Sequence, residues 1–359
     1  MQLRNVDHGA PARQQTLRAT LDWSHALLDD KEQAVLRRLS VFTGNFRQQG
    51  AQQVAADDAL DEWGVLEALS ALVDKSLLQV SQEEPRRYRL LETTRLYADE
   101  RLNDAGETDT MMRRHGQVMA ALAETAMQAF NELSDAVWLR SYSGDYDDWQ
   151  SAFYRACDRC DTQVAAAAGH ALGHLDDLRG ISAMLRVRKM AAHALLPLAS
   201  ARTQALLWGL QTWQSSIAIS AVPRRTAVLA EVAAWRALGD FPRLHAALWN
   251  LASECAIAAE WDACDRAALE AHDLEDPDWP PRIRLLGAAC ANDVCCLRGD
   301  LNGYRERGFA VLALAQQAGS VSGAARRGPG SILRTMHWWL ARWPMRSRSA
   351  RLQWLSCEP

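Results

Sequence analysis

Apolar positions return every three or four residues along most of this chain. Leu17, Leu21, Ala26 and Leu28 predict one short helix, and Val35, Leu36 and Leu39, following the capping pair Asp29-Asp30, predict a second. The run Ser40 to Phe46 is β-branched, aromatic and broken at Gly44, which predicts a brief extended stretch and a turn. Two further helices are expected at Gln48 to Ala55 and Val65 to Asp74, the latter with Leu66, Leu69, Leu72 and Val73 on one face. The period then shortens to two. Leu77-Leu78-Gln79-Val80, a polar turn from Ser81 to Arg86 and Tyr88-Arg89-Leu90 predict a two-stranded hairpin, closed by a helix from Thr93 to Asn103. Such a hairpin is not stable alone in water and must cover a helical core. Helices, hairpin and closing helix together predict a winged-helix domain over residues 13–106.

Beyond Thr108 the pattern is Ala-rich and helical almost to residue 318. Breaks fall at Ser143-Gly144, Gly180, Ala221-Val222-Pro223, Gly239-Asp240 and Asp276 to Pro281. Leu238-Gly239-Asp240 and Arg298-Gly299-Asp300 share one punctuation, a Gly closing a helix and an Asp capping the next, and Glu260-Trp261-Asp262 imitates it. Their unequal spacing fits the regular repeat of about 34 residues only loosely, so the hairpins are tetratricopeptide-like. The fold class expected is mainly α: a winged-helix domain with a small β-hairpin, a helical linker domain over 107–220, and tetratricopeptide-like helical hairpins over 221–318. Residues 319–359 differ in character. Arg326, Arg327, Arg334, Arg342, Arg346, Arg348 and Arg351 stand against the single acid Glu358, with four Trp interspersed. A slipped reading frame in a GC-rich gene, or a disordered end, accounts for this most simply; a tail for nucleic acid or acidic membrane is the alternative.

Composition narrows the function. The chain has 359 residues, 48% of them hydrophobic, with a net charge of -4, which excludes a disordered chain and advertises neither nucleic acid nor membrane as partner. No stretch approaches the roughly 20 apolar residues that cross a bilayer, and Met1 to Arg13 lacks the apolar core of a secretory signal. Eight cysteines scattered over helical sequence, two of them adjacent at Cys295-Cys296, fit reduced thiols in a cytoplasm better than a disulfide framework.

Four phrases occur in order in the first hundred residues: Arg13 to Ser24 (RQQTLRATLDWS), Leu36 to Phe42 (LRRLSVF), Leu69 to Leu78 (LSALVDKSLL) and Tyr88 to Ala98 (YRLLETTRLYA). They resemble the winged-helix region of bacterial STAND-type regulatory ATPases of the NB-ARC kind. Trp149 to Leu172 looks like the helical linker of that family and 224–318 like its tetratricopeptide sensor. The resemblance implies a protein that binds a signal through its repeats and drives transcriptional activation. The phosphate-cradling G-x-x-x-x-G-K-[ST] loop is not found, so the ATPase module is expected to be absent from this chain and supplied by a partner, the chain being a fragment or the product of a split gene. Where some relatives carry a phosphate-sensing His, this sequence has Leu91, followed by Glu92. Leu cannot donate to phosphate, which leaves Arg89, Glu92 and Arg95 to face a nucleotide-binding module.

Other candidate chemistry is weaker. Cys157-x-x-Cys160 with His170-x-x-x-His174 has zinc-like residue types, but the gap is shorter than a finger requires and lies in helix, so buried thiols and surface histidines are expected. Asp145, Asp147 and Asp148 lack the other oxygen ligands of a calcium loop and are expected to be a solvated turn. No nucleophile elbow is found, and neither catalysis nor a cofactor is expected. For DNA, the wing offers Arg86 and Arg87 to phosphate, whereas the candidate recognition helix offers Glu67 and Asp74 with only Lys75 at its end. Trp208, Trp213, Trp235, Trp249 and Trp261 are candidates for a ligand face on the repeats, with core packing the competing role. The function expected is the non-catalytic sensor and adaptor part of a signal-responsive transcriptional regulator, whose partner is a protein or ATPase module or a small inducer. The alternatives are a stand-alone winged-helix DNA-binding regulator and a truncated, non-functional fragment.

Overall fold

The structure is a computed structural model that describes residues 12–82, 84–179, 185–212 and 223–320. The expectations for Trp213, for the breaks at Gly180 and Ala221-Val222, and for the Arg/Trp-rich tail beyond Ser320 lie outside those residues.

After α1 (Ala12–Ala26), α2 (Asp30–Arg38) is opened by a reciprocal capping box. The Glu32 amide donates to the Asp29 carboxylate at 2.8 Å and the Asp29 amide to the Glu32 carboxylate at 2.9 Å, satisfying two donors that a helix start leaves free. α3 (Gln48–Ala55) and α4 (Glu62–Asp74) follow. α4 begins three residues before the apolar pattern does, because Asp61 accepts the Gly64 amide at 2.8 Å and caps it there. The hairpin is short: β1 (Gln79–Val80) pairs antiparallel with β2 (Tyr88–Arg89), Gln79 opposite Arg89 and Val80 opposite Tyr88. Phe46 adds a bridge on the other side of Tyr88 through two backbone bonds of 2.8 and 2.9 Å, so the extended end of the Ser40 to Phe46 run joins the wing. α5 (Glu92–Asp104) closes the domain. Val35, Leu36, Leu39, Val65, Leu69 and Leu72 are buried with the stacked rings of Phe42 and Phe46.

Next come α6 (Thr108–Phe130), α7 (Asp135–Tyr142), a 3-10 turn at Ser143–Asp145, α8 (Tyr146–Asp158), α9 (Thr162–Arg179), α10 (Leu185–Leu195) and α11 (Ala201–Thr212). The last elements are α12 (Arg224–Leu238), α13 (Phe241–Ile257), α14 (Trp261–Leu274), α15 (Pro281–Arg298) and α16 (Leu301–Gln317). The described chain is mainly α, with one two-stranded sheet. No helix among the described residues is long and apolar enough to cross a membrane.

Two compact units result. The first runs to Leu122 and takes in Gly144–Arg159; the second holds Ala123–Ser143 and the described residues from Cys160 onward, so residues 107–220 are shared between them. In the second unit α11 packs on α12, α13 on α14 and α15 on α16, with α13 also against α12 and α15. The sharp turns have the expected chemistry. Gly239 and Gly299 sit in the left-handed region at φ +67 and +81, and Asp240 and Asp300 then accept the Arg243 and Gly303 amides. The imitating turn before Trp261 uses Ala259 at φ +59 and has no side-chain cap.

Candidate interaction surfaces

On α4, the helix a winged-helix domain would offer to the major groove, the residues left exposed are Glu62, Trp63, Glu67, Ser70 and Asp74. The Trp63 indole donates to the Glu67 carboxylate at 3.1 Å. Lys75 at its end is not free for phosphate, because its ammonium is paired with Glu32 of α2 at 2.5 Å. The groove between α2 and α4 holds about 440 Å³ and is lined by Asp29, Asp30, Lys31, Glu32, Gly64, Glu67, Ala68 and Ala71. With Glu32 taken up by Lys75, Asp29, Asp30 and Glu67 stand against Lys31, which makes this face repulsive to a polyanion.

Of the two wing cations expected, Arg86 is exposed and lies 3.5 Å from the Glu84 carboxylate, whereas Arg87 is buried. Its guanidinium meets both oxygens of Asp145, at 2.7 and 2.9 Å, and donates to the Asn45 carbonyl; Arg47 reaches the same carboxylate at 2.8 Å. Gly144 makes room for this seat, since a Cβ there would stand 2.7 Å from the guanidinium carbon. Arg87 is therefore held inside the fold, away from any phosphate.

The same contacts correct the expectation of a solvated acidic turn at Asp145, Asp147 and Asp148 for the first and last of these, while Asp147 is exposed. Asp145 and Asp148 are 2% and 1% exposed. Asp148 accepts the Thr43 amide at 2.7 Å and lies 3.2 Å from the His115 ring, while the Asp147 carbonyl accepts the Thr43 hydroxyl. The chain from Gly144 into α8 thus acts as a clamp on the loop before α3 and on the wing. Residues 43, 47, 87 and 115 lie 33 to 105 positions from their acids, so no local sequence signal announces the pairing.

Of the residues assigned to a nucleotide-binding module, Arg89 and Glu92 are exposed and Arg95 is half-buried, paired with Glu92 at 2.9 Å one turn earlier. Leu91 lies between Arg89 and Glu92, 46% exposed. They share one edge, where β2 runs into α5.

In the second unit the Trp side chains divide. Trp235 and Trp249 are buried in a core with Val232, Leu244, Leu248 and Cys290, and Trp261 packs against it. Arg243 covers the Trp235 ring at 4.8 Å and Arg298 the Trp261 ring at 5.0 Å. Trp208 is half-buried with its ring 6.3 Å from His193. The expectation of buried thiols and surface histidines is modified: Cys160 is exposed and Cys157 half-buried, while His170 and His174 are half-buried, their rings 5.1 Å apart and His174 4.4 Å from Phe130. Burial, with Arg243 nearby, pushes His170 down to about 3; burial, His170 and two arginines lower His174 well below its ordinary range. Among the described residues no three His, Cys, Asp or Glu side chains are placed to hold a metal ion.

A second buried polar group went unsignalled. Glu231 lies against Thr212 at 2.7 Å and accepts the Trp235 indole N–H at 3.4 Å, and burial pushes its carboxyl up to about 7. The Thr212 hydroxyl has one proton and also lies 2.9 Å from the Gly209 carbonyl, so a protonated Glu231 satisfies the site by donating to the hydroxyl. Nearby, the Lys189 ammonium donates to the Gln211 carbonyl at 2.8 Å, and burial, reinforced by Arg224, lowers it to about 8.

Known proteins are similar to parts of this chain. A winged helix-turn-helix domain model matches residues 28–103. A putative HTH-type transcriptional regulator of Mycobacterium bovis, and another of Mycobacterium tuberculosis, are 48% identical over 125 residues, 34% of this chain and 14% of theirs. An uncharacterized protein of Mycobacterium bovis is 44% identical over 104 residues, 28% of this chain and 26% of its own. The match therefore spans about a seventh of the regulators' length. A solved STAND protein with a tetratricopeptide repeat sensor from Pyrococcus horikoshii aligns with 93% of this chain and 51% of its own, at 12% identity and a TM-score of 0.46. Residues 28–103 form a winged helix-turn-helix domain.

Proposed function

We propose that this chain is the non-catalytic adaptor and sensor portion of a transcriptional regulator, in which the winged helix docks against protein and the helical hairpins receive the signal. One observation carries this reading: the face that would enter the major groove is acidic, its terminal lysine is paired, and the wing's Arg87 is locked on Asp145. A DNA reader needs cations on that face, because phosphate contacts supply most of the affinity. A protein-docking surface does not, and exposed Trp63 among carboxylates suits one. Similarity to regulators of far greater length supports a role within a larger assembly, with the edge at Arg89, Glu92 and Arg95 available to a nucleotide-binding module.

The test is a titration of fluorescent duplex DNA with the full chain across a salt series. Binding weaker than about 1 μM at physiological salt, unchanged by Arg86→Glu, is expected. Binding tighter than that, steep in salt and weakened by Arg86→Glu, would establish the stand-alone DNA-binding regulator instead.

A further inference from the structure

In a stacked helical array each hairpin touches only its neighbours. The last one among the described residues does more. Arg282, in the first turn of α15, is 8% exposed and donates to the Asp135 carboxylate at 2.6 Å, to the Leu133 carbonyl at 2.8 Å and to the Ala318 carbonyl at 3.2 Å. Its guanidinium carbon lies 4.2 Å from the centre of the Phe130 ring. Ser320 donates to the other Asp135 oxygen at 3.2 Å, and the Asp135 amide donates to the Gly319 carbonyl at 3.1 Å. One arginine thus joins the turn after α6, the start of α15 and the end of α16. Gly319, at φ +58, fits against Ser134, where a Cβ would come within 2.5 Å of the Ser134 side chain.

The rest of α16 is lightly held. Val311 and Ala315 are its buried residues, in a small cluster with Leu285 and Ala289 of α15 that is separate from the main core of the unit, and Phe309 is 66% exposed. Helices with few buried apolar contacts are the ones that open locally below the global unfolding free energy. A buried ion pair adds sharpness, since neither charge can leave water-free surroundings half-paired without a large penalty.

We propose that α16 is a lid over α15, latched at its far end by Arg282, Asp135 and Ser320, and that release of this latch swings α16 away as a body and uncovers Leu285 and Ala289. This regulatory device goes beyond the adaptor reading and stands whether or not the winged helix binds DNA.

Hydrogen exchange on the full chain, read by mass spectrometry, tests it. In Asp135→Asn and in Arg282→Gln the amides of α16 are expected to exchange about a hundredfold to a few thousandfold faster, the loss that breaking one side of a buried pair implies, while those of α12 to α14 keep their rates. α16 exchanging at the wild-type rate in both variants, or acceleration shared equally by α12 to α14, would overturn the latch. Should neither variant fold, the wild-type chain decides: the Asp135 amide and the α16 amides must share one opening free energy, below that of α13, and separate values would overturn the proposal.

Discussion

The two units hold their ionisable groups differently. In the first, carboxylates and cations meet in ion pairs: Asp145 with Arg47 and Arg87, Arg38 with Asp57 and Glu107, Glu32 with Lys75. In the second, the buried pair of Arg282 and Asp135 stands beside groups pushed toward their neutral forms, with His170 and His174 lowered, Lys189 lowered to about 8 and Glu231 raised to about 7. The two groups moved to about 7 and 8 make the stability of the helical-hairpin unit depend on pH near neutrality.

Removing a clamp acid breaks that contrast most severely. Asp145→Ala leaves the guanidinium groups of Arg47 and Arg87 without their anion, the latter still seated against Gly144 and Asn45, and a broken buried pair costs about 3–5 kcal/mol. Urea unfolding of the full chain should show the transition of the first unit moved to lower denaturant by that amount, with the second unit's transition in place. Equal movement of both, or none, would mean that Asp145 does not serve the first unit in particular.

That clamp also marks the limit of what the sequence discloses. Elements fixed by nearest neighbours are legible: the Asp29-x-x-Glu32 capping box, the alternation from Leu77 to Leu90, and the Gly-Asp punctuation at 239–240 and 299–300 all appear where their local chemistry places them. Asp145 and Asp148 resemble part of a solvated turn because nothing within ten residues pairs with them, and Arg87 resembles a phosphate ligand for the same reason. His170 and His174 look like surface residues on an Ala-rich helix, yet α9 is buried on nearly every side, with Val164 through Ala168 at 6% exposure or less. A helix of small residues hides its burial, since its apolar stripe has no polar face to contrast with.

Glu231 sharpens the contrast from the other unit. An exposed glutamate in the unfolded chain loses its proton near 4.5, whereas in the folded chain burial holds it to about 7. Between those values the unfolded state sheds a proton that the folded state keeps, so stability falls as pH rises from about 4.5 to about 7 and stays reduced above. The span corresponds to a free energy on the order of 3 kcal/mol. Glu231→Gln keeps a donor for the Thr212 hydroxyl and cannot ionise. It should raise the stability of the second unit at pH 8 by about 2–3 kcal/mol and leave it nearly unchanged at pH 5, as thermal unfolding at the two pH values would show. A benefit equal at both would place the ionised form in the folded protein and remove the distinction between the units.

The smallest effect compares one helix cap from each unit. Asp29 and Asp300 both accept an amide three residues on, and losing such a cap costs about 1 kcal/mol. Asp29 stands in a reciprocal box whose Glu32 is also the partner of Lys75, so Asp29→Ala removes one side of a connected network. Asp300→Ala removes one bond at an exposed turn that Gly299 already holds in its left-handed conformation. The first substitution should therefore cost more than the second, by a few tenths to about 1 kcal/mol, in denaturation of the respective units. Equal costs would show that the box and the Lys75 pair act independently, and that charge pairing in the first unit is a collection of separate contacts rather than a framework.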